Sequence, residues 1–412
     1  MTVQAKSIRS NTISLFVLQG VRYLAPLITL PFLTRVLGSE YYAIRAYTVS
    51  VMTFAQVLVD FGFAQYGTRE FAVNSNNTQF LSKINTEIFV SKLIIALLVF
   101  VALIVIFPFM RVLNGFFLYY LIAYCVIVLK ALVPDFAYQG LENMGYITSR
   151  FVCTQTLSVV LILMFVRGPS DLLLIPIFEG VATGLSVIWG FGSLWKRFDI
   201  RFGRITLHGI KSTISGAFPY FLAVAASAIM GNTITVSMGV FGVPDNDISY
   251  WSVAATVITG LQALYQPLTR SLFPYMVKAK DMKKIGVYLK AGIPLMIVVA
   301  AACVLLSANI MSILGGEEFS SGASILAGMA PIMVISYPAA ILGYPVIAAL
   351  GYPDRLSKCV LVSALIQLLL VGFLGVIGAV NVDTLIIVRL VSEVVYLAMV
   401  VTTVLCLIKQ KD

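Results

Sequence analysis

Stretches of about 20 or more apolar residues follow one another along this chain with only short polar breaks between them, at 11–37, 43–66, 84–109, 117–137, 148–166, 172–194, 214–240, 248–274, 287–314, 322–348, 359–380 and 384–408. Roughly 20 helical residues at about 1.5 Å each cross a hydrocarbon core about 30 Å thick. The runs are continuous, whereas barrel strands alternate. Backbone groups in hydrocarbon must also be satisfied within the segment, which leaves helices. The predicted fold class is therefore an all-α integral membrane protein with 12 transmembrane helices. Of 412 residues, 60% are hydrophobic and 11% charged, so almost no chain remains for a water-soluble domain, and most soluble enzyme folds are excluded. Only residues 167–171 separate the fifth and sixth spans, and the sixth holds Pro176 and Glu179, so a re-entrant pair also fits there.

An even number of spans puts both termini on one side. With the N-terminus inside, cytoplasmic segments hold 18 of the 28 Lys and Arg residues, and the opposite loops hold only Arg111 and Arg167. Glu40, Asp245, Asp247, Glu317, Glu318 and Asp383 gather on that opposite side. The positive-inside rule then makes both termini cytoplasmic. The net charge of +10 is topological and does not imply a nucleic-acid partner. The longest polar stretch, 195–213, carries Lys196, Arg197, Arg201, Arg204 and Lys211. It divides the chain into an N-terminal six-helix lobe (1–200), the end of a basic connector (201–213) and a C-terminal six-helix lobe (214–412), the spacing of a parallel internal repeat. A solvated positive-inside loop is the preferred reading of the connector over an amphipathic segment lying on the membrane. The first apolar run exceeds a signal peptide's apolar region and has no small-residue cleavage site after it. Five cysteines without CxxC spacing and one histidine, His208, suggest neither a metal site nor a cofactor.

Charges within spans carry the functional information, because a cation at the bilayer centre costs roughly 2.5–3.5 kcal/mol on insertion scales and needs a partner or a wet cavity. With Arg150, at the inner edge of the fifth span, counted as cytoplasmic, eight cations qualify: Arg22, Arg35, Arg45, Lys92, Lys130, Arg270, Lys290 and Arg389. Arg22 sits midway along its span, and Lys92 lies roughly 12 Å inside its own. Lys290, Arg35 and Arg45 lie nearer span ends and can snorkel. The intramembrane acids are Asp60, Glu87, Asp135, Glu179 and Glu393. Arg389 and Glu393, four residues apart, share a helical face and can neutralise each other. Most of these groups fall in the first six spans with cations in slight excess, which favours an anionic substrate. A drug extruder for organic cations would need an acid-dominated cavity instead. No G-x-x-x-x-G-K-[ST] motif is present, so an ion gradient or the membrane potential is the expected energy source. Asp60, Glu179 and Glu393 are the candidate proton or sodium coupling groups, or counter-ions to nearby cations. Tyr23, Tyr66, Tyr120, Tyr265 and Gln262 are candidate polar groups for recognising a sugar.

The run from Leu30 to Ala72 resembles the opening of Wzx-type O-antigen and polysaccharide flippases of the multidrug/oligosaccharidyl-lipid/polysaccharide exporter superfamily. The most specific pieces are Thr34-Arg35-Val36-Leu37-Gly38, Asp60-Phe61-Gly62-Phe63 and Thr68-Arg69-Glu70. The segment from Pro134 to Met144 resembles the family's loop after span four, and Gln266-Pro267 through Phe273-Pro274 its span-eight ending. Tyr41-Tyr42 and Asp135-Phe136 depart from the family pattern. The resemblance implies two six-helix lobes around a V-shaped central cavity. It also implies alternating-access movement of an undecaprenyl-diphosphate-linked oligosaccharide between leaflets of the bacterial cytoplasmic membrane, alongside polysaccharide polymerase and chain-length machinery. Related lipid II flippases place arginines on spans one, two and eight around the diphosphate. Arg22, Arg45 and Arg270 stand on those spans here, and Lys92 and Lys130 could add field. A multidrug extruder of the same superfamily and a non-transporting scaffold of glycan assembly are the competing implications. A membrane-embedded polymerase or ligase would need a larger external loop than any found here.

Overall fold

The structure, a computed structural model, describes residues 3–109, 111–113 and 115–409. Among these residues there are helices and turns but no strand. The chain divides into two compact units, one of Met1–Phe32 with Thr48–Ala228, the other of Leu33–Tyr47 with Ile229–Asp412. The boundary at 228/229 falls inside a helix rather than in the basic connector.

Helix α1 (Val3–Asp60), whose residues 33–47 belong to the second unit and the rest to the first, is interrupted at Gly38, whose φ of 71° and ψ of 175° no helix accommodates. After α1 come α2 (Phe63–Val73), α3 (Thr78–Ile106), α4 (Phe117–Leu132), the short α5 (Asp135–Gly140), α6 (Met144–Phe165), α7 (Leu174–Phe198) and the first part of α8 (Leu207–Val240). The Asp60-Phe61-Gly62-Phe63 motif is the break between α1 and α2. Phe61 and Gly62 both take positive φ, 41° and 74°, and a Cβ on Gly62 would lie 2.6 Å from the carbonyl oxygen of Ala217 and from the amide nitrogen of Phe221. Only glycine allows both the left-handed turn and that approach of the α8 backbone. Helices α2 and α5 interlock through small residues in the same way: a Cβ on Gly67 would strike Phe136, and one on Gly140 would strike Phe71. Around this contact Phe63, Phe71, Leu81, Ile88, Tyr138 and Leu194 form the buried core of the unit.

The second unit holds α9 (Asp245–Ala263), α10 (Gln266–Ala279), α11 (Met282–Leu305), α12 (Ser307–Gly315), α13 (Ala323–Met329), α14 (Pro331–Leu342), α15 (Pro353–Val376) and α16 (Val382–Lys409). Past α14 the helix widens into a π turn at Gly343–Ala348, where Pro345 lacks the N–H that regular α-helical pairing requires. Helix α14 packs on α11 and α16, and α15 packs on α16. The TRVLG motif has a packing role here. Thr34 Oγ1 donates to the Leu314 carbonyl at 2.9 Å and the Arg35 guanidinium to the Ile313 carbonyl at 2.8 Å. Both carbonyls belong to the last turn of α12, where helix oxygens lack partners of their own.

Nine helical stretches among the described residues are long and apolar enough to cross a membrane, or up to ten if the two parts of α8, bent by 52° between Leu222 and Val224, form one span. Pro219 lies one turn before that bend and removes a helix hydrogen bond there. Two of the twelve expected runs account for the difference. Val17–Val73 forms one stretch of 57 residues, roughly 85 Å at the helical rise, so the expected first and second spans are counted together across Gly38. The expected eighth span is split by the turn at Leu264 and Tyr265 into α9 and α10, of 19 and 14 residues. The fifth and sixth spans are full helices, α6 of 22 and α7 of 25 residues. Large apolar side chains such as Leu97, Leu98, Ile188, Val298 and Leu369 stand exposed, as the outer surface of a spanning bundle requires.

Candidate functional site

Ionisable side chains collect inside the first unit, where helix ends and side chains meet. Because α1 stops at Asp60, that carboxylate lies beside α3. Lys92 Nζ is 3.1 Å from its Oδ1, and Gln56 Nε2 donates to its Oδ2 at 3.5 Å. The same ammonium donates to the Ala131 carbonyl, one of the acceptors left over at the C-terminal end of α4, where the helix dipole favours a cation. It also stands 5.7 Å from the centre of the Phe136 ring. Lys92 is buried, with only 3% of its surface exposed. Lys130, one residue before Ala131, pairs with Glu179 of α7 at 3.0 Å. Asp135, which opens α5 after Pro134, receives the guanidinium of Arg150 from α6.

The neighbouring Phe151 carries the remaining cation of this group. The Arg22 guanidinium lies 5.3 Å from the Phe151 ring centre. Arg22 is exposed, and no carboxylate pairs with it among the described residues. Four cations and three acids thus leave Arg22 as the unmatched charge of the group. A guanidinium stacked on an aromatic face keeps its N–H edges for oxygen acceptors, and a planar fork suits phosphate.

The second unit holds the other site candidates. Arg389 donates to Glu393 at 2.6 Å, to the side-chain oxygen of Gln367 at 3.3 Å and to the Met230 carbonyl. Gln367 in turn donates to the carbonyls of Ile229 and Met230, each at 3.3 Å. Arg389 and Glu393 are therefore a cross-linked pair holding α8, α15 and α16. Arg45 stands 6.0 Å from the Tyr42 ring centre. Arg270, on α10, is exposed and has no ion pair among the described residues. Gln262 and the Tyr265 hydroxyl both bond the Ser336 hydroxyl at 2.9 Å. The side chain of Tyr23 lies outside the described residues. Tyr66 packs over Gly216, and Tyr120 is buried.

Sequence reasoning brings Arg389 and Glu393 together, because their spacing is local. It treats Lys92 and Lys130 as open cavity cations, whereas the structure gives each a carboxylate and seats Lys92 in the packing. It misses Arg150. Expected in a cytoplasmic segment, Arg150 is 2% exposed inside α6. Asp135, an intramembrane acid to which sequence reasoning assigns no counter-ion, was the signal that such a partner had to exist.

The all-helical fold is one shared with membrane transporters of known structure. It is similar to the inward-facing conformation of a multidrug resistance MATE family transporter of the MOP superfamily, with a TM-score of 0.72 at 14% identity, covering 98% of this chain and 100% of that one. It is likewise similar to the lipid II flippase MurJ in an inward closed conformation, with a TM-score of 0.71 at 12% identity, covering 96% of this chain and 87% of that one. At such identities the likeness is one of fold. Residues 8–280 match the family "Polysaccharide biosynthesis protein", and the chain belongs to that family. The "Putative O-antigen transporter" of Escherichia coli (strain K12) is 22% identical over 90% of this chain and 91% of its own length. That of Shigella dysenteriae is 23% identical over 88% and 91%.

Proposed function

We propose that this protein is a flippase that carries an undecaprenyl-diphosphate-linked oligosaccharide, an O-antigen or similar surface-polysaccharide repeat unit, from the inner to the outer leaflet of the bacterial cytoplasmic membrane. The observation that carries the reading is the family match over residues 8–280, and the O-antigen transporter names of relatives along nine tenths of the chain support it. In this reading Gly38 separates the first two spans and α9 and α10 together make the eighth, giving twelve spans, six in each half, with both termini cytoplasmic. The protein performs no covalent chemistry. Arg22 meets the diphosphate, with Arg45 and Arg270 as further phosphate-binding groups, and Lys92 and Lys130 act through their pairs with Asp60 and Glu179. Alternating access is driven by an ion gradient or the membrane potential, with Asp60, Glu179 and Glu393 as the groups that sense it.

The fold likeness to multidrug transporters does not favour drug export, because flippases and extruders share that fold. The unmatched charge of the first unit's intraspan group is a cation, which suits an anion. The test is complementation of a flippase-deleted, glycan-producing strain by wild type and by Arg22→Ala, with membrane abundance and surface glycan measured together. Wild type restores surface glycan, and the inserted variant does not. Equal restoration by both removes Arg22 from the site, and flipping of a matched lipid-linked glycan by purified protein then tests the transport reading itself.

A further inference from the structure

The chain between α7 and α8 is strapped down. The backbone N–H of Arg201 donates to Ser82 Oγ at 3.1 Å and that of Gly203 to Thr86 Oγ1 at 2.7 Å. Two residues apart on an extended segment, these amides meet hydroxyls four residues apart on one face of α3. At the next step Thr213 Oγ1 donates to Glu87 at 3.3 Å. Phe202 stands 5.2 Å from Phe89 and 5.4 Å from Phe191 between ring centres. A loop that served only as a solvated link would need none of these attachments.

The anchoring fixes what the segment shows outward. Trp195 and Phe202 are each 57% exposed and Leu207 87%, with Ile205 exposed between them. Interleaved with them are Lys196, Arg197, Arg201, Arg204 and Lys211, all exposed. The acid within 195–211 is Asp199, already held by Arg201 at 2.9 Å. Beyond the strap, Leu207, Ile210, Lys211, Ile214, Ser215 and Phe218 line an open apolar groove along the first turns of α8. An anchored backbone, exposed aromatics and a surplus of cations at the end of a spanning helix match the interfacial zone of a bilayer. Tryptophan settles at the headgroup level there, and cations meet lipid phosphates.

We propose that the 195–218 surface of the first unit is a docking site for anionic phospholipid, with headgroup phosphates on Arg204 and Lys211 and acyl chains along the α8 groove. The occupant is a lipid leaflet because the patch adjoins α7, an apolar helix long enough to cross a membrane, and its charge complements a negative surface. This site is independent of what the protein transports.

The test uses full-length protein in nanodiscs with Trp195 as the reporter, in a Trp189→Phe/Trp251→Phe background. Quenching is compared between brominated phosphatidylglycerol and brominated phosphatidylcholine at equal mole fraction. Phosphatidylglycerol is expected to quench preferentially, and the preference to fall with added salt. Each cation near an anionic surface contributes roughly fivefold, so Arg204→Gln/Lys211→Gln should lower the preference by up to about 25-fold, and Arg204→Lys/Lys211→Arg should retain most of it. Lys283→Gln/Lys284→Gln, with the same charge removed elsewhere, should leave it unchanged. Equal quenching by the two lipids, quenching by neither, an unchanged preference in the glutamine variant or an equal loss in the Lys283/Lys284 control each overturns the proposal.

Discussion

Removing the charge from Asp60 should harm this protein more than removing both members of its ion pair. The Lys92 side chain is 4% exposed and that of Asp60 28%. In Asp60→Asn the ammonium stays buried, with the Ala131 carbonyl and the Phe136 ring as its remaining neighbours. Breaking a buried pair from one side costs about 3–5 kcal/mol. Because Asp60 is partly exposed and its surroundings can relax, the lower end, about 3 kcal/mol, is expected. Lys92→Met leaves a carboxylate that still accepts from Gln56 and reaches solvent, at about 1–2 kcal/mol. The double variant has neither orphan and should lie within about 1 kcal/mol of wild type, a coupling of roughly 3 kcal/mol. Unfolding of a many-helix membrane protein is commonly irreversible, so the readout is the rank order of melting midpoints at one scan rate in one detergent. Losses that simply add, or an Asp60→Asn variant that melts with wild type, would refute the burial argument. The same double variant bears on function: if it folds and still exports glycan, the pair is architectural; if it folds and does not, the pair belongs to coupling.

Two glycines with nearly equal φ should respond differently to alanine. Gly62→Ala meets backbone at 2.6 Å as well as a φ of 74° and should cost upwards of about 3 kcal/mol, seen as lost membrane abundance. Gly38→Ala, at φ 71° with nothing within 4 Å of the added carbon, should cost only about 1–2 kcal/mol. Arg389→Met should destabilise by about 3–5 kcal/mol because Glu393 is left buried and unpaired, and Arg389→Met/Glu393→Leu should recover most of the melting midpoint.

Span positions were legible because hydrocarbon imposes length and apolarity on sequence directly. Breaks within spans were less so. A proline, Pro345, lies within the π turn, but nothing local distinguishes the kink at Gly38 from the many glycines that sit quietly in helices. The flippase-like motifs were recognisable without their purpose. In this fold Gly62 admits the α8 backbone, and Thr34 and Arg35 tie down the end of α12. Such residues keep a family resemblance because they hold the scaffold, so a motif match here reports architecture before chemistry.

Charges show the same limit in a sharper form. Within a helix, partners announce themselves by spacing, as Arg389 and Glu393 do. Lys92 and Asp60 are 32 residues apart and Lys130 and Glu179 49, so sequence offers the members but not the pairs. Once paired, each intraspan acid has a cation within reach: Lys92 for Asp60, Arg150 for Asp135, Lys130 for Glu179, Arg389 for Glu393, and Lys83 at 3.9 Å for Glu87. A cation already neutralised by a neighbour 3 Å away attracts an incoming phosphate weakly, because the pair presents a dipole and its field falls off faster than that of a charge. The surplus of cations inferred from counting therefore concentrates, within the first unit's interior, on Arg22, whose partner is an aromatic face and whose charge is not cancelled. That difference in surroundings, invisible in the sequence, is why Arg22 rather than Lys92 is the residue on which to test diphosphate binding.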